Sequence, residues 1–404
     1  MACAAKAQLE HYFPGATVVT DTATDHWQRK LRSLTSKLRL PELPYAAAWH
    51  ISKLFKREQS DYKCALILDG SGFAYGDQWG ARKLWQRLST PSKLWEKHGT
   101  PVIALPQAWG PFNGSDQAMF KRELSLLQQN AALIYVRDQK SMGYWQELFG
   151  APEDKALPCA TSPNVILSPD FTNLLEVDTT SVQAPGNVAV IPNSKMVEMN
   201  AVEGTDSYLN ELLDAILLTR NAGDTPFLLN HEGNADKKLI ARVNEALEKQ
   251  GSSAVPVFES PDPIAIKAAI GQCRYIVSAR FHGLVSALSQ AVPVFAHGWS
   301  HKYQELLDDY GASDRLFAVG GGLITALKHW QQADETLHKA EREHLKRAAD
   351  QQKERVKAMW EQIFEVCANA GFSVDTSNAT ERTEQKQLEL KGDEKSNDAS
   401  GAQR

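Results

Sequence analysis

The fold is decided by residues 275–311, which read YIVSARFHGLVSALSQAVPVFAHGWSHKYQELLDDYG. A short apolar run, YIVS, leads to Arg280 and His282. An amphipathic run opens at Gly283, a second apolar run reads VPVFA, and Lys302 heads another amphipathic run. Short continuous apolar runs suit strands covered on both faces, and the amphipathic runs between them suit helices, so a parallel sheet is expected. In extended chain, residues two apart project from one face, so Arg280 and His282 are expected to converge at the carboxyl end of their strand, where open α/β sheets place ligands. A guanidinium, an imidazole, the free N–H groups of a helix beginning at Gly283, and the ammonium of Lys302 together ask for an anion. The alternative is a structural ion pair for Arg280 and a hydrogen-bonded core position for His282.

The same grammar extends in both directions. Upstream, NVAVIPN, PFLLNHE and AVPVFES alternate with helical patterns such as ADKKLIARVNEALEKQG. Earlier still, CALILDG, PVIALPQ, ALIYVRD and NVILSPD alternate with DQWGARKLWQRLSTPSKLWEKHG and SMGYWQELFG. Between the two series, residues 171–186 break the rhythm with turn-forming and polar residues and are expected to link two domains. Two Rossmann-like domains facing a cleft follow, the first over 61–170 and the second over 187–330. Residues 334–368 predict one or two helices packed by a single stripe, within a helical segment spanning 331–371. The polar stretch 372–404 lacks the apolar content to fold, and residues 1–60 carry no assignable pattern.

Composition narrows the function. A chain of 404 residues with 43% hydrophobic content suffices for two cores. With 44 basic against 49 acidic residues, the net charge of −5 gives no reason to expect nucleic acid, though a local basic pocket still suits a small anion. The five cysteines are scattered, with no CxxC pair, which argues against a disulfide framework or zinc cage and fits the reducing cytoplasm. No signal peptide and no apolar run long enough to span a bilayer is read, leaving at most a peripheral membrane contact.

Other strand ends add candidates. Arg137 closes ALIYVRD, either facing the cleft on the first domain's acceptor side or pairing with Asp138 or a helix. Asn193 in VIPNSKM and His231 with Glu232 in LLNHEGNAD close strands of the second domain, and either line the cleft or bind their own loops. His297 and His301 are four apart, but Pro293, Gly298 and the strand-like VPVFA rule out a continuous helix there, so no metal site is expected.

The stretch SARFHGLVSALSQAVPVFAHGWSHKYQELLDDYG resembles the carboxyl-terminal signature of the polysaccharide pyruvyl transferases: a strand ending in Ser, Arg and His, a helix, a PV strand, and a Lys before the next helix. LDGSGFAYGDQWG resembles the family's early Gly loop, PQAWGPF its Gly-Pro-Phe segment, YVRDQKSMGYWQELFG its Arg-Asp and Ser pattern, and LSPDFTNLL its Asp-containing segment. The likeness covers residues 66–311. It departs at Trp299, where Tyr is common.

The resemblance implies a GT-B-like fold and transfer of a pyruvyl group from phosphoenolpyruvate, a donor substrate rather than a cofactor, to a saccharide acceptor as a cyclic ketal. Arg280 and Lys302 would then hold the donor's anions, and His282 would carry a proton. Asp77, in the Gly loop, is the candidate base, its alternative being a cap for a helix beginning near Gln78. Gly70, Gly72 and Gly76 would allow close approach on the acceptor side, or serve only turns. The rival readings are a GT-B glycosyltransferase using a nucleotide sugar and a non-catalytic glycan- or partner-binding protein of the same fold.

Overall fold

The computed structural model describes residues 1–13, 65–150, 164–199 and 205–372. Most of the 1–60 segment and the 373–404 portion of the polar tail lie outside these residues.

Two parallel sheets organise the chain. The first holds β1 (Ile67–Asp69), β2 (Val102–Gln107), β3 (Leu133–Val136) and β4 (Val165–Leu167) in the order β1-β2-β3-β4. The second holds β5 (Val188–Ile191), β6 (Pro226–Asn230), β7 (Val257–Glu259), β8 (Tyr275–Ser278), β9 (Val294–His297) and β10 (Leu316–Phe317) in the order β10-β9-β8-β5-β6-β7. Every residue of β2, β3, β5, β8 and β9 is buried, the pattern of strands covered on both faces. The nine apolar runs read from the sequence are β1 to β9, and β10 lies outside them. In the second sheet the connections run one way from β5 to β7 and the other way from β8, so the crevice between β5 and β8 is a topological switch point.

The helices that matter here are α1 (Ala2–Tyr12), α2 (Gln139–Phe149), α3 (Gly233–Lys249), α4 (Pro263–Gly271), α5 (Phe281–Leu288), α6 (His301–Asp309) and α7 (Glu335–Asn369). Local chemistry sets their starts. Asp138 accepts from Ser141 N at 2.8 Å to cap α2, Asp262 accepts from Ile264 N ahead of Pro263, and Asp334 accepts from Leu337 N to cap α7. Along α7, a buried stripe from His338 to Cys367 begins on the second sheet, where Leu345, Ala348 and Ala349 join its core. The stripe ends on the first, where Val356, Trp360 and Ile363 pack under Ile103, Leu105 and Tyr135. One stripe thus fastens both sheets to a single rod.

The connection between the sheets is anchored at its start and exposed further along. Phe171, Thr172 and Asn173 are buried; Lys267 of α4 donates to Thr172 O at 3.1 Å, and Tyr310 donates to Asn173 Oδ1 at 3.0 Å.

Two helix starts differ from the sequence expectation. The helix expected near Gln78 begins at Ala81, because Gly80 takes a φ of +73° and the Asp77 carboxylate binds elsewhere. The helix expected at Gly283 begins at Phe281 with Arg280 as its N-cap, so His282 lies in the first helical turn rather than in extended chain.

Candidate active site

That shift separates Arg280 from His282. Arg280 is still extended, with φ −103° and ψ 121°, and turns toward α3. Its Nε donates to Asp236 Oδ2 at 2.7 Å, its Nη2 to Asp236 Oδ1 at 2.5 Å, and its Nη1 to Glu232. The Asp236 side chain is fully buried, also accepting from Ser194 N at 2.9 Å, whereas Glu232 is exposed at the rim. A bidentate fork on a buried carboxylate is the ion-pair alternative for Arg280.

His282 turns the other way, across the cleft. Its Nε2 stands 3.7 Å from Asp170 Oδ2, at the end of β4 in the first sheet. Asp170 in turn accepts from Arg137 Nη1 at 3.2 Å, and through Oδ1 from the amide (3.0 Å) and hydroxyl (2.5 Å) of Thr172. Arg137 and Asp170 are almost wholly buried, at 5% and 1% side-chain exposure. The Arg137 partner is therefore Asp170 and not Asp138, which is occupied as the α2 cap. The Arg137 guanidinium also lies 4.2 Å from the Phe281 ring centroid, so first-sheet and second-sheet groups interlock.

Lys302 reaches the same place from α6. Its Nζ lies 5.0 Å from the ring centroids of Phe73 and Trp299, 5.3 Å from Phe281 and 5.4 Å from Tyr303. Trp299, where the family commonly has Tyr, thus keeps an aromatic face to the ammonium.

Charge states follow from these surroundings. Burial, reinforced by the nearby Arg137, pulls Lys302 down to about 7. His282 is about a third exposed overall but its Nε2 is buried, and burial pushes the imidazole well below 6.5 against the pull of Asp170. A near-neutral imidazole, as expected from the sequence, is not what the protein groups alone provide. Burial alone would raise Asp170, yet His282 and Arg137 hold it below the usual carboxylate range. Burial also drives His231 down to about 4, helped by Arg280.

Polar atoms left without hydrogen bonds collect here. Arg137 Nη2, Ser168 Oγ, Asp138 Oδ2, His282 Nε2 and His301 Nε2 are all buried and make none. Such groups are costly unless something else bonds them, which makes this cluster between the two sheets the candidate ligand site.

The remaining expectations divide. Asn193 is spent within the protein: Nδ2 donates to Ala279 O at 2.9 Å across the β5/β8 crevice, and Oδ1 accepts from Lys195 N at 2.9 Å. Asp77 neither caps a helix nor meets His282; its Oδ2 accepts from Asn113 N at 3.0 Å and Gly114 N at 2.9 Å, holding two first-sheet loops together. Gly76 is needed for close approach, since a Cβ there would lie 2.3 Å from Gly110 O, and Gly72 takes a φ of +75°. Gly70 has room for a side chain, its nearest neighbour being a Phe171 ring atom at 3.7 Å, and Gly283 packs α5 on Ser278 and Ile191. His297 faces Glu211 and Phe317 O while His301 faces Asp138, so the two histidines do not converge.

Three contributors went unassigned from the sequence. Asp170 was legible as an Asp just past an apolar strand, the position Arg137 holds in the preceding strand. Asp138 stands in the Arg-Asp pattern and His301 beside Lys302, but their pairing, like the place of Phe73, exists only through contact between the sheets.

Two parallel α/β units, with strand carboxyl ends meeting over buried cations, define a two-sheet α/β protein with its candidate site between the sheets. A profile described as polysaccharide pyruvyl transferase matches residues 1–301, and the chain belongs to that family. Among solved structures it is similar to the Anabaena protein HepE in complex with UDP and glucose, at 13% identity and TM-score 0.47, covering 84% of this chain and 89% of that one. It is also similar to a UDP-forming trehalose-phosphate synthase from Burkholderia xenovorans, at 8% identity and TM-score 0.47, covering 88% and 81%. For an O-GlcNAc transferase mutant from Thermobaculum terrenum the values are 14%, TM-score 0.37, and 71% of this chain; this chain spans 56% of that one. No significant match is found among curated protein sequences. No described helix is long and apolar enough to cross a membrane.

Proposed function

We propose that the protein moves a pyruvyl group from phosphoenolpyruvate onto two hydroxyls of one sugar, in a cell-surface polysaccharide or its precursor, forming a cyclic ketal. The observation that carries this reading is the buried Arg137 guanidinium, with Nη2 unbonded, interlocked with His282 and Lys302 across the cleft. Phosphoenolpyruvate brings a carboxylate and a phosphate together, and a planar fork beside a point ammonium suits that pair of anions. Arg137 takes the place first given to Arg280, whose donors are bound to Asp236 and Glu232. The second sheet, carrying Lys302 and His282, is the donor side; the Gly loop with Phe73, Gly76 and Asp77 is the acceptor side. The cytoplasm, where phosphoenolpyruvate is made, is the expected compartment.

His282 is the group that protonates the donor's methylene carbon. Protein surroundings alone keep it neutral, but the donor's negative charges favour the imidazolium, so donor and proton are taken up together. Asp170, fixed by Arg137 and Thr172, orients the ring.

Thermal shift with phosphoenolpyruvate, and separately with UDP-sugars, tests this. A ligand that binds only the folded state at about 100 times its Kd stabilises by about 2.7 kcal/mol. Stabilisation by phosphoenolpyruvate that is lost in Arg137→Lys supports the reading. Stabilisation by UDP-sugars alone would point to nucleotide-sugar transfer, and by neither to a non-catalytic binding protein.

A further inference from the structure

We propose that His301 and Asp138 form a second proton-transfer pair, in which His301 receives the proton of the attacking sugar hydroxyl. The inference rests on the pyruvyl-transfer reading and adds a residue to it.

His301 opens α6, in the second sheet's unit, yet its surroundings belong to the first. Its Nε2 is 3.8 Å from Asp138 Oδ1, and its ring stands edge-on to Phe73 at 6.3 Å and to Tyr144 at 5.7 Å. The arrangement repeats that of His282. In both cases a second-sheet histidine faces a buried first-sheet aspartate from just beyond hydrogen-bond distance, on either side of Arg137. In both cases Nε2 is buried without a hydrogen bond.

The two pairs flank Lys302, which packs on Phe281 beside His282 and on Phe73 beside His301. His282 lies beside Phe281, against which Arg137 and Lys302 are packed: the donor's cations. Phe73 lies in the Gly loop, and Tyr144 packs on Gly110, which backs Gly76, so His301 looks onto the acceptor side. Besides Asp138, the groups facing this imidazole are Tyr144 and Lys140 of α2, Arg137 at the end of β3, and the adjacent Lys302; Glu305, one turn along α6, accepts from Lys140 N at 3.3 Å. Burial lowers the His301 pKa, Asp138 opposes that, and the cations add to it, so the ring is neutral and able to accept a proton at neutral pH.

The protons then balance over one turnover. The His282 imidazolium gives its proton to the methylene carbon as C2 becomes electrophilic. The first hydroxyl oxygen bonds to C2 and its proton passes to His301. The bond from C2 to the phosphate oxygen breaks, its electron pair leaves with phosphate, and phosphate takes the proton from His301. The second hydroxyl bonds to C2 and returns a proton to His282, leaving both histidines as they began.

The test compares wild type, His301→Asn and Asp138→Asn. The asparagine at 138 keeps an oxygen for the Ser141 amide, so α2 stays capped. Donor affinity is read by calorimetry with phosphoenolpyruvate, and turnover by phosphate release with a panel of aryl hexopyranosides. His301→Asn should bind phosphoenolpyruvate within about threefold of wild type while turnover falls by ~10² to 10⁴, and should lose the limb on which wild-type kcat falls as pH drops below the His301 pKa. Asp138→Asn should slow turnover less and move that limb to lower pH. Independently of any acceptor, histidine-labelled NMR should find His301 neutral at neutral pH in the phosphoenolpyruvate complex. A protonated His301 there, a tenfold loss of donor affinity in His301→Asn, or unchanged turnover would overturn the inference, assigning His301 to donor binding or to structure. Failure of the wild type to bind phosphoenolpyruvate would instead defeat the pyruvyl-transfer reading, and this inference with it.

Discussion

Replacing Lys302 by methionine should make the protein more stable and less able to hold its donor. The ammonium is enclosed by Phe73, Phe281, Trp299 and Tyr303, and burial is the main reason it titrates near 7 rather than 10.5. Below 10.5 the unfolded chain holds the proton, and the folded protein releases it near 7. Wild-type stability therefore rises with pH between those values, and the penalty for burying the charge is fully present below pH 7. At about 1.4 kcal/mol per pH unit, the penalty at neutral pH is on the order of 4 kcal/mol. Cation–π attraction offsets about 0.5–2 kcal/mol of it, leaving roughly 2–3.5 kcal/mol for methionine to recover. Methionine is unbranched, of similar length, and packs well on aromatic rings. Urea unfolding of both proteins at about pH 6, 8 and 10 measures the effect. The stability difference should be largest at the lowest pH and vanish near pH 10, while stabilisation by phosphoenolpyruvate is lost in the variant. A Lys302→Met protein less stable than wild type at the lowest pH, or a difference independent of pH, would refute the reasoning.

Three other outcomes are expected. Arg137→Met should cost about 3–5 kcal/mol by leaving Asp170 buried with only His282 for charge compensation, and adding Asp170→Asn should recover much of that; additive effects in a double-mutant cycle would show the pair is not coupled. His282→Asn should lower turnover by ~10² to 10⁴ with a smaller change in donor affinity, and should lose the limb on which wild-type kcat falls as pH rises through the imidazole pKa of the donor complex; a variant that turns over normally once saturated would make His282 a binding residue. Trp360→Ala should cost about 3–5 kcal/mol and open the first sheet to limited proteolysis, because that ring is buried between α7 and the sheet; an unchanged melting curve would show that α7 does not fasten it.

The sequence by itself determined nine of the ten described strands and their parallel arrangement, because continuous apolar runs in short lengths have few other uses; the two-residue β10 carries no such run. It also named His282 and Lys302 as candidates, since the family's motifs carry them, although His282 lies in a helical turn rather than at an extended strand end. Tertiary structure decided which charges meet. Arg280 and Arg137 read alike, each an arginine closing an apolar strand. Only packing assigned Arg280 to the buried Asp236 on a helix of its own sheet, and Arg137 to an Asp170 that His282 reaches from the other sheet. The two-residue difference in where α5 begins is the physical reason. A helix started at Phe281 turns His282 away from Arg280, and no periodicity in the sequence distinguishes that start from one two residues later. The sequence weighs His301 only as a partner of His297, a pairing that the strand-like VPVFA and Gly298 rule out. The structural partner of His301, Asp138, lies on the opposite side of the cleft, and only the meeting of the two sheets brings them together.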